Sequence, residues 1–578
     1  MDRARTLAAL AALFALAACG GGGGGSSTPS PAPTPASGQA ELSVTLAGGA
    51  SPGVDHLWVT VTGFAMHADG TRVFGDGDAG WVVSQLATPV TVDLADPSLS
   101  QGQSVSLLKQ VQTAVGTYQQ LRLIVAPSDP NAALKDSAAA KGLTWNDQVQ
   151  YTDAGGVHVL PLEIPDPQAG LRLLQQFSLS ADSTTPLAIE WNAGASLVRR
   201  PGASGVDRFT LRDELRLYNQ QLLTALGDGN LQIAGSIFDS ISGQLDTSQF
   251  CTGSSHAGCI HDVVASATSL SADGLFHEEA RSVNVGSNGT FLLYPLPTQS
   301  LYDVVIRGGN MQTIVVRNVF VDPTGLLKPT PTALSSTATP IVPVLDTSGL
   351  DVTVSNALAP RSARVLFGQT IAGSGGSSAD VPYAIAAGAA DPATGLLAHP
   401  ITLPGGTIQD AVFDTTKNGS GTPPTFTAVT AKEGAGAWSV WSEGTLADST
   451  SAIAVKAAGA TSVTAPAPVR RPGFVDGTLT VSLSGTPTNA ADNAEVVVTN
   501  AGGTVAVANA SSLIAGGGSV AVVLPSGSST AAPGAAIYDV AVHTWKAGAD
   551  STTGRWSRAA AAVDLSSAGS ANVALTLP

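Results

Sequence analysis

The sequence predicts an all-β protein, a string of β-sandwich domains, and three observations carry that expectation. Among 578 residues, 64 are glycine and 35 are proline, a supply of turn formers that suits short strands better than long helices. Apolar and polar residues alternate with period two in run after run, beginning at Leu42-Ser43-Val44-Thr45-Leu46 and Leu57-Trp58-Val59-Thr60-Val61. Hydrophobic residues make up 43% of the chain, enough for several cores at roughly 100–200 residues per domain. The 43 acidic and 27 basic side chains leave a formal net charge of −16, yet only 12% of residues are charged. A nucleic-acid partner needs clustered Lys and Arg along its phosphates, so this composition sets nucleic acid aside.

The amino terminus is organised differently. Residues 1–18 read as a signal peptide: Arg3 and Arg5 form a basic start, and the apolar run 7–18 falls short of the about 20 residues a spanning helix needs. Leu16-Ala17-Ala18-Cys19 resembles the lipobox of bacterial lipoproteins. The resemblance implies cleavage before Cys19 and acylation of its thiol, which places the chain on a lipid bilayer with about 0.8 kcal/mol of affinity for each buried methylene. Residues 19–39 are a Gly/Ser/Pro linker, a flexible glycine stretch followed by a more extended Pro-rich spacer. Gly20 in place of Asp after the cysteine implies, by the sorting rule of Gram-negative lipoproteins, an outer-membrane anchor with the modules facing the periplasm or the cell surface.

Strand-like runs continue through Val90-Thr91-Val92-Asp93-Leu94, residues 118–125 and Leu187-Ala188-Ile189-Glu190-Trp191, and define one β-sandwich over 40–220. Within it, Val92-Asp93-Leu94 followed by Ala114-Val115-Gly116-Thr117-Tyr118-Gln119-Gln120-Leu121-Arg122-Leu123 is similar to the "DL … G-x-Y-x-x-x-R-L" core of the bacterial lipoprotein domain catalogued as domain of unknown function 4382. Residues 187–198 look like the late strand pair of that family. Its first loop usually carries a Thr-Asp-Ala-Pro-like turn, where this chain has Gly48-Gly49-Ala50-Ser51-Pro52-Gly53. The resemblance implies a surface or periplasmic β-sandwich of unknown function.

Over 229–322, an opening strand with Gly235, a turn before Gly289-Thr290-Phe291 and a closing Tyr302-Asp303-Val304 strand resemble the carboxypeptidase regulatory-like, transthyretin-like β-sandwich, a non-catalytic accessory module. Asn288-Gly289 suits the positive φ of a tight hairpin turn, and alternation puts Tyr302, Val304 and Ile306 on one face. A Pro/Thr/Ser-rich linker spans 323–345, a β domain 346–468 and a β-sandwich 474–578. Two echoes link the parts. Tyr538-Asp539-Val540-Ala541-Val542 repeats the Tyr302 strand, and Val469-Arg470-Arg471-Pro472-Gly473 repeats Val198-Arg199-Arg200-Pro201-Gly202, the latter read as a repeated turn at domain edges.

Candidate chemistry is sparse. Cys251 and Cys259, in FCTGSSHAGCIH, are read as a disulfide, since two nearby thiols outside the cytoplasm usually oxidise and the Gly/Ser-rich loop closes easily. The competing reading is a metal site of Cys-x4-His-x2-Cys-x-His type that adds His256 and His261. Gly49-Ala50-Ser51-Pro52-Gly53 matches a nucleophile elbow in letters, but Pro52 lacks the backbone N–H that an oxyanion hole takes from that position. Asp76-Gly77-Asp78 offers two carboxylates to calcium, fewer than such a site needs, and reads as a solvated loop. Trp438 and Trp441, three apart, point to opposite faces of a strand, leaving at most one as a sugar platform. Trp545 and Trp556 pair across a hairpin as packing. The reading has no catalytic residues, no cofactor and no metal.

The expectation is therefore an anchored array that binds or scaffolds a glycan or protein ligand of unknown identity, with a hydrolase whose site is assembled from distant residues as the alternative. Substituting Cys19 by Ser moves the protein from the membrane to the soluble fraction on this account. A variant that stays with the membrane contradicts it.

Overall fold

The computed structural model describes residues 38–578 except 52, 76–78, 101–103, 129–131, 154, 168, 201–206, 212–214, 220–237, 254–255, 272–273, 298–299, 322–331, 360–362, 372–379, 415–420, 445, 449–453, 489, 501–502, 529–535, 547–553 and 568. Cys19, the segment before it that resembles a lipobox, and residues 76–78 lie outside the described residues.

Over 40–219, two sheets face each other. One has the order Leu215–Asn219, Thr184–Trp191, Ala40–Gly48, Val105–Thr113; Ala40–Gly48 runs parallel to Thr184–Trp191 and antiparallel to Val105–Thr113. The other has the order Leu197–Arg200, Arg208–Leu211, Gly156–Glu163, Gln148–Asp153, His56–His67, Gly116–Val125, Leu171–Leu179, and Val82–Asp93 also pairs with His56–His67. Side chains two apart on a strand share a face, so Leu42, Val44 and Leu46 meet Leu57, Val59 and Val61 in one core, all at zero exposure. The Asp-Leu pair has a local cause. Asp93 Oδ1 accepts from the backbone N–H of Leu57 (2.9 Å) and of Ala95 (3.1 Å), while Leu94 is buried. Tyr118 donates from its hydroxyl to the carbonyl of Ala114, 2.9 Å away, and stacks on Phe177.

In the next module, Phe238–Gln244 pairs with Thr290–Pro297 and Thr332–Ala333 against a sheet running Thr313–Val321, Ser300–Gly309, His261–Leu270, His277–Asn284. Tyr302, Val304 and Ile306 all enter its core. At the hairpin only Gly289 takes a positive φ, +84°, while the Asn288 side chain accepts from the Thr290 N–H and hydroxyl. This sheet does not end at the module. Tyr383–Ala389, Arg364–Gln369, Trp438–Glu443 and Ala454–Lys456 continue it on one side, and Thr407–Val412 with Thr427–Thr430 extend it on the other, making ten strands. Trp438 and Trp441 do point to opposite faces, but both faces are covered. Trp438 lies in the core with Val352 and Phe367, and Trp441 packs on Phe276 at 5.4 Å, so neither is a surface sugar platform.

Over 474–577, Gly518–Gly527, Phe474–Ser484 and Ser570–Thr576 face a sheet of Gly503–Asn509, Asn493–Asn500, Ile537–Trp545 and Arg555–Arg558. Tyr538 is buried there and donates to the Pro525 carbonyl, 2.6 Å away.

The chain folds back so that the first module touches each of the others. Arg281 of the second module ion-pairs with Glu190 and donates to the Gly48 carbonyl. Asp207 meets His399 of the third at 2.8 Å. The fourth is held by a buried triad: Asp539 Oδ2 lies 2.8 Å from Arg122 Nη1, and its Oδ1 lies 3.4 Å from Arg172 Nη1. Arg172 also donates to the Ile537 carbonyl at 2.6 Å. Burial raises the Asp539 pKa, but Arg122 and Arg172 outweigh it and hold the carboxyl below its ordinary value. Removing one partner of a buried ion pair strands the others, at a cost of about 3–5 kcal/mol. Asp539→Ala therefore lowers the denaturation midpoint of the last module, followed by Trp545 and Trp556 fluorescence, whereas an exposed control pair, Lys432–Asp380, shifts it by less than about 1 kcal/mol when broken.

Candidate ligand-binding cleft

The docking of the last module on the first leaves a cleft of about 470 Å³ between them, within the roughly 300–1,000 Å³ of ordinary small-molecule sites. Its first wall is built by Gly156–Glu163 and Arg208–Leu211, which pair in parallel at Phe209↔Leu162 and Thr210↔Glu163. That register sets Arg208 beside Glu163, and the two form a fork with Nε and Nη2 each donating over 2.8 Å to a separate carboxylate oxygen. Pro127, Ile164, Pro165 and Pro167 add an apolar rim.

The second wall comes from Asn493–Asn500, Gly503–Asn509 and Ile537–Trp545, which place Glu495, Val497, Thr504, Val507 and His543 toward the gap. Glu495 ties the walls together. Its Oε1 lies 3.2 Å from Arg200 Nη2 and 3.9 Å from Arg208 Nη1, and Arg200 Nε also meets Asp391 of the third module at 2.9 Å. Glu163 and Glu495 together raise the Arg208 pKa against the opposing effect of burial, which fixes this cation as charged.

The cross-strand register His543↔Trp556 puts a histidine opposite the second tryptophan. The two tryptophans expected to pair across the hairpin are not opposite each other; His543 lies between them, stacked on Trp556 at 4.3 Å and on Trp545 at 5.0 Å. Arg208 covers Trp545 at 5.4 Å. A Cβ at Gly554 would collide with the His543 ring, so that glycine is what lets the histidine lie flat. Trp556 is half-buried and lines the cleft together with exposed Arg555. Thr504, 1% exposed, borders the same space, and its buried hydroxyl has no hydrogen-bond partner among the described residues.

The other sequence-derived candidates fall elsewhere. Ser51 is buried, and its hydroxyl accepts from Asn284 Nδ2 at 3.0 Å, so the elbow-like turn is a docking contact onto the second module. Cys251 and Cys259 are brought together as a disulfide with Cα atoms 5.1 Å apart, which takes both thiols out of the four-ligand metal arrangement. Arg200, of the first Arg-Arg-Pro-Gly echo, is the ion-pair hub described above, while Arg470 of the second pairs locally with Asp476. Sequence reasoning missed Glu163, Arg208, Glu495 and Thr504. The one usable signal was a charged residue set inside an apolar strand of a chain that is only 12% charged.

Behind the first wall, Asp147 has zero exposure and accepts from the Thr60 N–H at 2.7 Å and from the Ser128 hydroxyl at 2.7 Å. Burial nonetheless pushes its pKa up to about 7. A raised carboxyl binds more protons folded than unfolded, so its contribution is greatest in acid and is lost as pH rises from about 4 to about 7, by about 1.4 kcal/mol per pH unit. Asp147→Asn keeps the bond from the Thr60 N–H, donates to the Ser128 hydroxyl where the carboxylate accepted from it, and removes the titration. Its stability relative to wild type should rise across that window and level off above it, as measured by denaturation at stepped pH.

No curated protein matches the chain. Among solved structures, the Bacillus anthracis TIE protein is similar at 10% identity, with 92% of this chain and 73% of that chain covered and a TM-score of 0.13. The pilus adhesin SpaC from Lactobacillus rhamnosus GG is similar at 10% identity over 91% of this chain and 57% of that one, with a TM-score of 0.13. A leucine-rich repeat protein from Bacteroides thetaiotaomicron is similar at 12% identity over 40% of this chain and 26% of that one, with a TM-score of 0.11. Residues 37–212, the segment that carries Asp93, Tyr118 and Arg122, match the family described as Domain of unknown function (DUF4382).

Proposed function

We propose that the protein is an outer-membrane lipoprotein, anchored through acylated Cys19, whose β modules act as a rigid binding array with the cleft between the first and last modules as its ligand site. The second module takes the carboxypeptidase regulatory-like role of an accessory spacer in this reading. The observation that carries the proposal is the cleft itself. Its walls come from segments more than 280 residues apart in sequence, yet buried ion pairs clamp them at Arg200–Glu495 and Arg122–Asp539.

The lining also favours a ligand class. Trp556 offers a ring face backed by His543, the prolines and valines offer apolar contact, and Thr210 and the Arg208–Glu163 fork offer polar partners. A sugar ring presents this same division, with an apolar C–H face and a polar hydroxyl edge. Among the described residues no helix is long and apolar enough to cross a membrane, and the Gly/Ser/Pro linker after Cys19 supplies the reach for the modules to work away from the bilayer.

A glycan array tests this with wild type and Trp556→Ala side by side. The expected result is retention of at least one glycan class by wild type and a loss of about tenfold or more in the variant, equivalent to about 1.4 kcal/mol. Equal retention by both proteins, or none by either, overturns the cleft as a glycan site.

A further inference from the structure

We infer that His256, His261 and Asp262 form a site for one divalent transition-metal ion of the zinc or nickel type, while Cys251 and Cys259 stay bonded to each other. One ligand atom from each of these three side chains lies within 4.8 Å of the other two. Two imidazoles and a carboxylate are the donor set that borderline metals prefer.

Part of the geometry is already set. His261 Nδ1 lies 2.9 Å from Asp262 Oδ2, and two atoms bound to one tetrahedral ion at about 2.1 Å each lie about 3.4 Å apart, so the pair opens by about half an ångström. An ion bound to both atoms sits to one side of the line that joins them, so the imidazole and the carboxylate turn toward it as the shared proton leaves. The opposite edge of the ring is closed, because a Cβ at Gly309 would collide with it, so the His261 ring is backed on the Gly309 backbone and turns its Nδ1 edge to Asp262. His256 stacks on His261 at 4.2 Å with the planes 14° apart. Its ring has to tilt away from that parallel arrangement for its lone pair to converge on the same point. The fourth position is left to water.

The scaffold lowers the entropy cost of assembly. The disulfide closes the loop that carries His256, and the Asn310 amide donates to the carbonyls of His256 (2.9 Å) and Cys259 (3.0 Å). Four other histidines meet a carboxylate, in the pairs His56–Asp93, His158–Asp153, His277–Asp303 and His399–Asp207. Among the described residues these lack the second imidazole that His256 brings to His261.

Calorimetric titration of zinc into the full-length protein, purified in detergent without a polyhistidine tag, tests the inference, with free thiols counted before and after. The expected result is one zinc ion per chain with no free Cys251 or Cys259 thiol. His256→Ala and His261→Ala should each weaken binding by about tenfold or more, and His158→Ala should leave it unchanged, all with wild-type melting temperatures. Three results would overturn it: no uptake with zinc in excess, uptake unchanged in the His256 and His261 variants, or uptake only after the disulfide is reduced, which would assign the ion to the thiolates.

Discussion

Asp539 has the Arg122 and Arg172 side chains on either side of it, at 1% and 2% exposure, and burying those two guanidinium groups without a partner would cost several kcal/mol each. Once the two modules dock, either set of charges is stranded in the interface if the other is missing. Arg122 also donates to Gln120 Oε1 and the Arg72 carbonyl within its own module. Asp539 completes that network, so the docking is specific in position. The Arg200–Glu495 and Arg208–Glu495 contacts then register the two walls of the cleft, and the cleft exists because this contact holds.

The Tyr-Asp-Val echo takes on a physical meaning in this frame. In both copies the tyrosine enters its own core, Tyr302 in the second module and Tyr538 in the fourth. Alternation turns the aspartate to the outer face of the sheet, where it meets a neighbour. Asp303 accepts from the Tyr383 hydroxyl of the third module at 2.7 Å, with His277 stacked on that tyrosine at 3.9 Å, and Asp539 takes the two arginines of the first. The same strand pattern therefore serves packing on one side and inter-module docking on the other.

The sequence made faces legible but not their partners. Period two placed Leu42, Val44 and Leu46, and likewise Tyr302, Val304 and Ile306, on core faces, because alternation encodes direction directly. It also sent Trp438 and Trp441 to opposite sides, yet could not show that Phe276 of another module covers the second. Arg122 stood out as part of a motif while its role stayed hidden, since its partner lies 417 residues away. The cleft was illegible for the same reason. Glu163, Arg208, Glu495 and His543 come from separate strands, and only the docking of modules brings them together.

Small-angle X-ray scattering of the purified protein tests the central claim, that buried inter-module ion pairs fold the array back on itself. A compact chain of this length has a radius of gyration of about 24 Å, and the account predicts a value below about 30 Å for wild type, rising in Asp539→Ala. A wild-type radius well above about 35 Å with an elongated distance distribution would mean that the modules stand apart in solution, and it would contradict the docked arrangement.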